Sequence, residues 1–421
     1  MRNGERERGI VEMKRSSRLP FESHGLAWGR CLVTAAIACA FPCGYASAQI
    51  PEGWEIVEIA PPGTEYSYGR PDINDRGQIV FHRTSTANYR SGLEIWLFDH
   101  GQLLQVTDDN TYDSFPEINY PGDIVWQRDV DPDPKVERIA IVRLNDGQID
   151  TLIDEPFYPS LEDIDDSGGV LWSRYTQATD SPVELLRFDG KKNTVIASNG
   201  RWNQIAITNQ RGDIAFTSFN HYVFPWVSEI VGYFDGVLAP LSNGQRQVVL
   251  GGLNDFGQIV WSSPFDGVEI WFNGITTKLL QENAAVGGIN RRGQITIARK
   301  DPVSGNSTLW LYADGRMTRL TEPALSAGIG RINSRGEIAF LTGRFPQGGV
   351  SLLTKPAFLS DTDSDGDIDL ADFANLQNCF GRNKLPFGEI CHECDGAKDG
   401  QLDQEDYVRM LEFWEGPQKW P

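Results

Sequence analysis

The feature that most restricts this chain is a segment that comes round seven times. Ile73-Asn74-Asp75-Arg76-Gly77-Gln78-Ile79-Val80-Phe81 returns as Ile118-Asn119-Tyr120-Pro121-Gly122-Asp123-Ile124-Val125-Trp126 and then five times more. The marker glycines are Gly77, Gly122, Gly168, Gly212, Gly257, Gly293 and Gly336, spaced 45, 46, 44, 45, 36 and 43 residues apart. A period of about 40 to 45 residues is that of a four-stranded propeller blade. The short fifth interval leaves six and seven blades both open at this stage.

The unit reads physically. Three residues before each glycine stands Asn74, Asn119, Asp165, Asn209, Asn254, Asn290 or Asn333. Such a residue holds the first position of a type I turn, with glycine at the fourth. After each glycine come three apolar or nearly apolar positions, such as Ile124-Val125-Trp126, Val170-Leu171-Trp172 and Ile259-Val260-Trp261. A strand wet on one side alternates, so an unbroken run implies burial on both faces. A second apolar strand follows, as in Glu94-Ile95-Trp96-Leu97-Phe98, and then a tight turn. Asp146-Gly147, Asp189-Gly190, Asp235-Gly236, Asn273-Gly274 and Asp314-Gly315 are pairs that favour hairpins. The seventh repeat lacks that turn and its outer strand, while an orphan strand, Trp54 to Ile59, precedes the first. The two ends are therefore expected to close one ring.

This order of Asn-x-x-Gly-x-apolar, aromatic strand, Asp-Gly turn and a strand ending in Leu/Val-Thr resembles the TolB-type WD-like propeller repeat. It is also similar to HAF-type extracellular repeats with their Ile-Asn-x-x-Gly core. The resemblance covers residues 51 to about 355 and implies fold, with little about chemistry.

The tail is of another kind. Asp361-Thr362-Asp363-Ser364-Asp365-Gly366-Asp367-Ile368-Asp369-Leu370-Ala371-Asp372 has the spacing of a calcium loop. Carboxylates at positions 1, 3, 5, 9 and 12 converge because glycine at 6 permits the sharp turn, and Asp367 at 7 offers its carbonyl. A second copy runs from Asp395 to Asp406, with Asp399, Gln401, Asp403 and Asp406 as further ligands and Ala397 in place of one, which predicts weaker binding. Phe373, Leu376 and Phe380 mark the apolar face of one following helix, and Tyr407, Met410, Leu411 and Trp414 that of the other.

Two such units, 34 residues apart, resemble a type I dockerin. The resemblance implies a cohesin-like partner gripped by the tenth and eleventh loop residues, here Leu370-Ala371 and Gln404-Glu405, which depart from the usual Ser-Thr pair. A calcium-stapled module with no docking partner accounts for the same residues, since a unit of roughly 60 residues needs a metal or disulfide. Cys379 can pair with Cys391 or Cys394. A zinc site from Cys391 and Cys394 with His392 or Cys379 is the remaining use of those side chains.

Arg15, Arg18 and Arg30, an apolar stretch from Cys31 to Phe41 and then Ala46-Ser47-Ala48 predict a signal peptide over 1–48 cleaved after Ala48, with Met13 as an alternative start. Lipid attachment at Cys39 or Cys43 is disfavoured for want of an aliphatic residue three positions earlier. No later run reaches the roughly 18 to 20 apolar residues of a spanning helix. A secreted or cell-surface chain is expected, with a propeller over 49–355 and a linker and dockerin-like domain over 356–421. The net charge of −20 repels phosphate backbones and anionic lipid, which argues against nucleic acid and membrane partners.

No nucleophile elbow, zinc-protease helix or phosphate-cradling loop is present, so no catalytic residue is assigned and no organic cofactor is expected. His82 and His100 are expected at a surface or edge. Asp72, Glu117 and Asp163 share the position five before the marker glycine, where solvated turn acids are favoured over an acidic sector at a channel mouth that binds a cation or a sugar. Trp96, Trp126, Trp172, Trp261, Trp271 and Trp310 fall at shared strand positions and are expected in the core, whereas Trp202, Trp226 and Tyr222 are off-register candidates for exposed contacts. The expected architecture is thus an all-β propeller of seven or six blades with a small α-helical, dockerin-like calcium-binding domain. The expected function is non-catalytic binding of protein or polysaccharide; the alternative is a polysaccharide-degrading hydrolase or lyase.

Overall fold

The computed structural model describes residues 50–51, 54–61, 66–85, 92–109, 111–131, 138–145, 147–156, 158–176, 182–220, 227–242, 247–343, 348–354, 370–380, 394 and 403–412. The proposed signal segment, most of both calcium loops, His221, His392, Tyr222, Trp226, Cys391 and Trp414 lie outside them.

Each marker glycine does what its position demands. Gly77 N–H donates to the Asn74 carbonyl at 3.0 Å, and Gly77 has φ 77°, a conformation that costs glycine nothing. The same hydrogen bond recurs at all seven turns. Every turn joins a short inner strand to the apolar strand that follows, for example Asp113–Ile118 to Ile124–Asp129 and Ala285–Ile289 to Ile295–Lys300. Third and fourth strands complete each antiparallel unit, such as Ile139–Asn145 with Gln148–Ile153. The fifth repeat is a full four-stranded unit too. It is short because Ile259–Ser263 and Gly267–Phe272 are joined by only residues 264–266.

The seventh repeat takes its outer strand from the other end of the chain. Glu55–Ala60 runs antiparallel to Gly349–Thr354, with Ile56 opposite Leu353 and Val57 opposite Leu352. The expected closure is therefore present.

The apolar runs explain why the units stand face to face. In all seven repeats the three residues after glycine and its neighbour are essentially inaccessible, from Ile79-Val80-Phe81 to Ile338-Ala339-Phe340. Alternate side chains of a strand point to opposite faces. Val80 packs with Ile124 and Trp126 of the second repeat, and Val125 with Val170 and Trp172 of the third. Leu171, Ala215 and Val260 make the same forward contact. Ala339 of the seventh repeat packs with Ile79 and Phe81 of the first, which closes the series. The middle position in the sixth repeat is Thr296, buried because its Oγ1 donates to the Gly330 carbonyl at 2.6 Å. Trp126, Trp172 and Trp261 are fully buried, while Trp96 and Trp310 lie under Arg83 and Arg299 at 4.9 and 4.7 Å. Of the tryptophans at shared positions Trp126, Trp172 and Trp261 are core, as expected, whereas Trp96, Trp271 and Trp310 are half-buried and pack against its margin. Trp202 is a correction: it is half-buried and meets Tyr175 edge-on at 5.7 Å.

In the tail, α1 (Leu370–Cys379) and α2 (Gln404–Glu412) share a small cluster of Leu376, Cys379, Cys394 and Met410, with Phe373 and Tyr407 at 5.6 Å. Cys379 is in a disulfide. Phe380 and Leu411, expected on the apolar faces, are instead 50% and 47% exposed. Phe380 follows the last residue of α1, where the helical period no longer aims it inward. No described helix is long and apolar enough to cross a membrane.

Candidate functional site: a charged layer on the axis

The conserved geometry of the turn carries a second use of its asparagine. Asn74 Oδ1 accepts from the Arg76 and Gln78 amides, which leaves its Nδ2 to donate to the Asn119 carbonyl of the next repeat at 2.9 Å. Asn119 reaches Asp165, Asn209 reaches Asn254, Asn254 reaches Asn290 and Asn290 reaches Asn333. Asn333 donates to the Asn74 carbonyl at 3.0 Å, 259 residues away in sequence. Asp165 has no N–H to give. There Gly169 leaves room for the Arg187 guanidinium, which binds the Asp165 carboxylate in place of a side chain at that position. The sequence marks these residues as turn formers alone; the second N–H of an amide whose first is taken by the side chain four residues on, as Asn74 Nδ2 is by Gln78 Oε1 at 2.8 Å, was the available signal.

Five residues before the glycines, the inner strands bring Asp72, Glu117, Asp163 and Arg331 to one layer. Asp72 Oδ2 accepts from Ile118 N–H at 3.0 Å, and Asp163 Oδ2 accepts from Thr208 N–H at 2.8 Å. The same backbone relation to the next repeat holds in both. Arg331, from the seventh repeat, puts Nε 3.8 Å from Asp72 Oδ1 and Nη2 3.9 Å from Glu117 Oε1. Those separations are too long for hydrogen bonds. Arg70 Nη2 donates across the axis to the Gly287 carbonyl of the sixth repeat at 3.2 Å. The bland expectation of solvated turn acids is thereby corrected: Asp72 and Glu117 are 15% and 18% exposed around a guanidinium supplied by the far end of the chain.

Burial and crowding set the charges. Burial, and then the neighbouring Asp72, push Glu117 well above the carboxylate range against the pull of Arg331. Burial raises Asp163 to about 7 despite its hydrogen bond from Thr208. Burial raises the adjacent Glu162 to about 7 as well, although it accepts from Ser173 Oγ at 2.6 Å and Ala206 N–H at 3.2 Å. Arg331 beside it, and then burial, lower Arg70 to about 10. Burial opposes the charge of Arg331, but Glu117, Asp72 and Asp163 outweigh it.

His82, expected at a surface or edge, is half-buried and takes part in a contact between blades. Its Nδ1 accepts from Phe115 N–H at 3.1 Å, and burial lowers it to about 4. It holds Phe115 at φ 51° with 56% of that residue exposed, on the strand that carries Glu117. Gln127 and Thr217, in the matching position of their repeats, accept from Leu161 and Leu250 in the same way. His100 is an exposed turn residue, 2.7 Å from Asp99.

One trio of described acids gathers its oxygens within 4.8 Å: Glu94, Asp109 and Asp113. Its cation is Arg128, which chelates Asp113 at 2.7 Å twice and meets Asp109 at 2.9 Å. Of the expected calcium ligands, Asp361, Asp363, Asp365, Asp367, Asp369, Asp395, Asp399 and Gln401 lie outside the described residues. Asp372 and Asp406, the last ligand of each loop, are buried to 0% and 1% exposure in the first turns of α1 and α2. Asp403 caps α2 by accepting from Glu405 N–H and donates its own N–H to Asp406 Oδ2 at 2.9 Å. Leu370, Gln404 and Glu405 are exposed.

No family model and no curated protein matches this chain. Solved structures do. It is similar to the β-propeller domain of the trilobed protease from Pyrococcus furiosus, at TM-score 0.51 and 13% identity over 69% of this chain and 93% of that one. It is similar to the Pyrococcus horikoshii acylaminoacyl peptidase at TM-score 0.51 and 13% identity, covering 69% of this chain and 52% of the peptidase. A Mycobacterium tuberculosis puromycin-hydrolyzing peptidase matches at TM-score 0.50 and 12% identity, over 68% and 52%. The chain spans about half the length of those two peptidases. At such identities the likeness is one of fold, and the fold is a β-propeller. The Pyrococcus furiosus domain is described as having an open velcro topology, whereas here the first strand pairs with the last.

Proposed function

We propose that this chain is an exported, seven-bladed, TolB-like propeller that binds a protein or polysaccharide ligand at the charged layer on its axis, with a calcium-stapled, dockerin-like tail. The observation that carries the binding reading is the pair Glu117 and Arg331, opposed at 3.9 Å without a hydrogen bond, where an acceptor and a donor are both left for a third group. The count of seven blades is supported by seven repeats of four paired strands, the last completed by the first strand of the chain. Export rests on the basic, apolar and small-residue order of 1–48, with cleavage after Ala48.

The tail's donor set suits a hard cation. Asp361, Asp363, Asp365, Asp369 and Asp372 with the Asp367 carbonyl, and Asp395, Asp399, Gln401, Asp403 and Asp406, would hold Ca²⁺, which takes six to eight oxygens. The burial of Asp372 and Asp406, the last position of each loop, at the start of the helix that follows it supports this. Whether the tail also docks a cohesin-like partner turns on exposed Leu370, Gln404 and Glu405. Glycan-array binding by the purified chain, with and without calcium, tests the reading; no bound glycan and no bound protein in either condition would defeat it.

A second reading has one observation in its favour. Glu117 and Asp163 are buried acids pushed toward neutrality, as an acid catalyst requires. A polysaccharide hydrolase or lyase would release products from a bound glycan, and Glu117→Gln would abolish that release.

A further inference from the structure

The axial layer is short of positive charge. Asp72, Glu117 and Asp163 face Arg331 and Arg70, three carboxylates to two guanidiniums, in a largely desolvated setting. An unbalanced buried carboxylate takes either a proton or a cation. A divalent metal is a poor candidate. The oxygens of Asp72, Glu117 and Asp163 are not among the described groups that converge within 4.8 Å, and a guanidinium already stands 3.9 Å from Glu117. A larger cation with several N–H donors can serve oxygens spread more widely.

The hydrogen-bond inventory narrows the choice. Asp72 and Asp163 already accept backbone N–H groups, and Glu117 has no such partner among the described residues. Arg331 Nε is buried and has no hydrogen bond among the described residues. The layer thus offers one carboxylate acceptor and one guanidinium donor side by side. On the same strand as Glu117, two residues earlier and at the irregularity in its register, Phe115 is 56% exposed at φ 51°, with its N–H donating to His82 Nδ1. An exposed aromatic ring is a face on which the C–H side of a sugar can lie.

We infer that the ligand of this layer is an amino sugar unit of a glycan, its ammonium donating to Glu117, its neighbouring hydroxyl accepting from Arg331 Nε and its ring lying against Phe115. This rests on the axial layer being the binding site. The acidic chain, at net −20, would draw such a cationic glycan toward it.

The test compares the full chain and Glu117→Gln against β-1,4-linked glucosamine oligomers, their N-acetylated counterparts, neutral glucans and short peptides with free amino termini, by titration calorimetry. Circular dichroism confirms that both proteins are folded. Binding of the glucosamine oligomers at least tenfold tighter than their acetylated forms, with at least a tenfold loss in Glu117→Gln, is expected. Equal binding of acetylated or neutral glycans, or peptides competing as well as amino sugars, would overturn the inference and leave the axial reading standing, whereas wild-type affinity in the variant would overturn both. If none of the probes binds, both fall.

Discussion

Replacing Asn333 by alanine tests the hydrogen-bonded circuit that joins the repeats. The side chain is 3% exposed and makes three bonds: Nδ2 to the Asn74 carbonyl at 3.0 Å, Nδ2 to Glu337 Oε2 at 2.8 Å, and Oδ1 from Glu337 N–H at 2.9 Å. Each lost bond removes about 1 kcal/mol net, more where a partner is stranded. The Asn74 carbonyl keeps Gly77 N–H and Glu337 keeps Arg335, so the stranded group is the Glu337 amide. The expected loss is about 3 kcal/mol. At about 2 °C per kcal/mol for a large domain, Tm falls by about 6 °C. Calorimetry and urea denaturation measure it. Asn333→Asp keeps the acceptor and removes only the donor, and it sets a second carboxylate against Glu337, whose guanidinium partner Arg335 the two would have to share. It is therefore expected to lose at least as much, although aspartate is the natural residue at 165. Losses below about 0.5 kcal/mol in both variants would refute the reasoning, because a buried link worth nothing cannot be what registers one blade on the next.

Three other outcomes are expected. Glu162 and Asp163 have folded values of about 7 against unfolded values near 4, so the folded chain binds more protons between those limits; the associated stability is full below pH 4 and lost as pH rises through 7. Tm should fall from pH 5 to pH 8, and Glu162→Gln should flatten the slope; an unchanged slope in the variant contradicts the assignment. Gly267→Ala would place a Cβ 2.0 Å from the Leu280 carbonyl oxygen at φ 84° and is expected to destabilise by about 3 kcal/mol or more, read by urea midpoint; tolerance of alanine would show that this hairpin shifts freely. Chelation of calcium should loosen the α1–α2 cluster around Tyr407, and Asp372→Ala should cost more calcium affinity than Asp406→Ala because the second loop already lacks a ligand at Ala397; titration calorimetry with CaCl2 showing the reverse order would count against that ranking.

What was legible in the chain by itself was whatever repeats locally. The turn at each Asn-x-x-Gly, the doubly buried strand after it and the need of the last blade for Trp54–Ile59 all follow from spacing and side-chain type, because a turn and a pleat are decided by a few neighbouring residues. The shortened fifth interval was ambiguous in sequence; the structure gives that repeat four paired strands, since a hairpin connection can shrink without losing a strand. Tertiary structure alone decided which charges meet. Arg331 stands more than 200 residues from Asp72 and Glu117 in the chain, yet the ring brings the seventh inner strand across from the first two. His82 looked like an edge residue because its partner, the amide of Phe115, belongs to the next blade. Local pattern specifies each blade, and the closure of the blades on one axis specifies the site, because only a closed ring sets residues from non-adjacent repeats a few ångströms apart out of reach of bulk water.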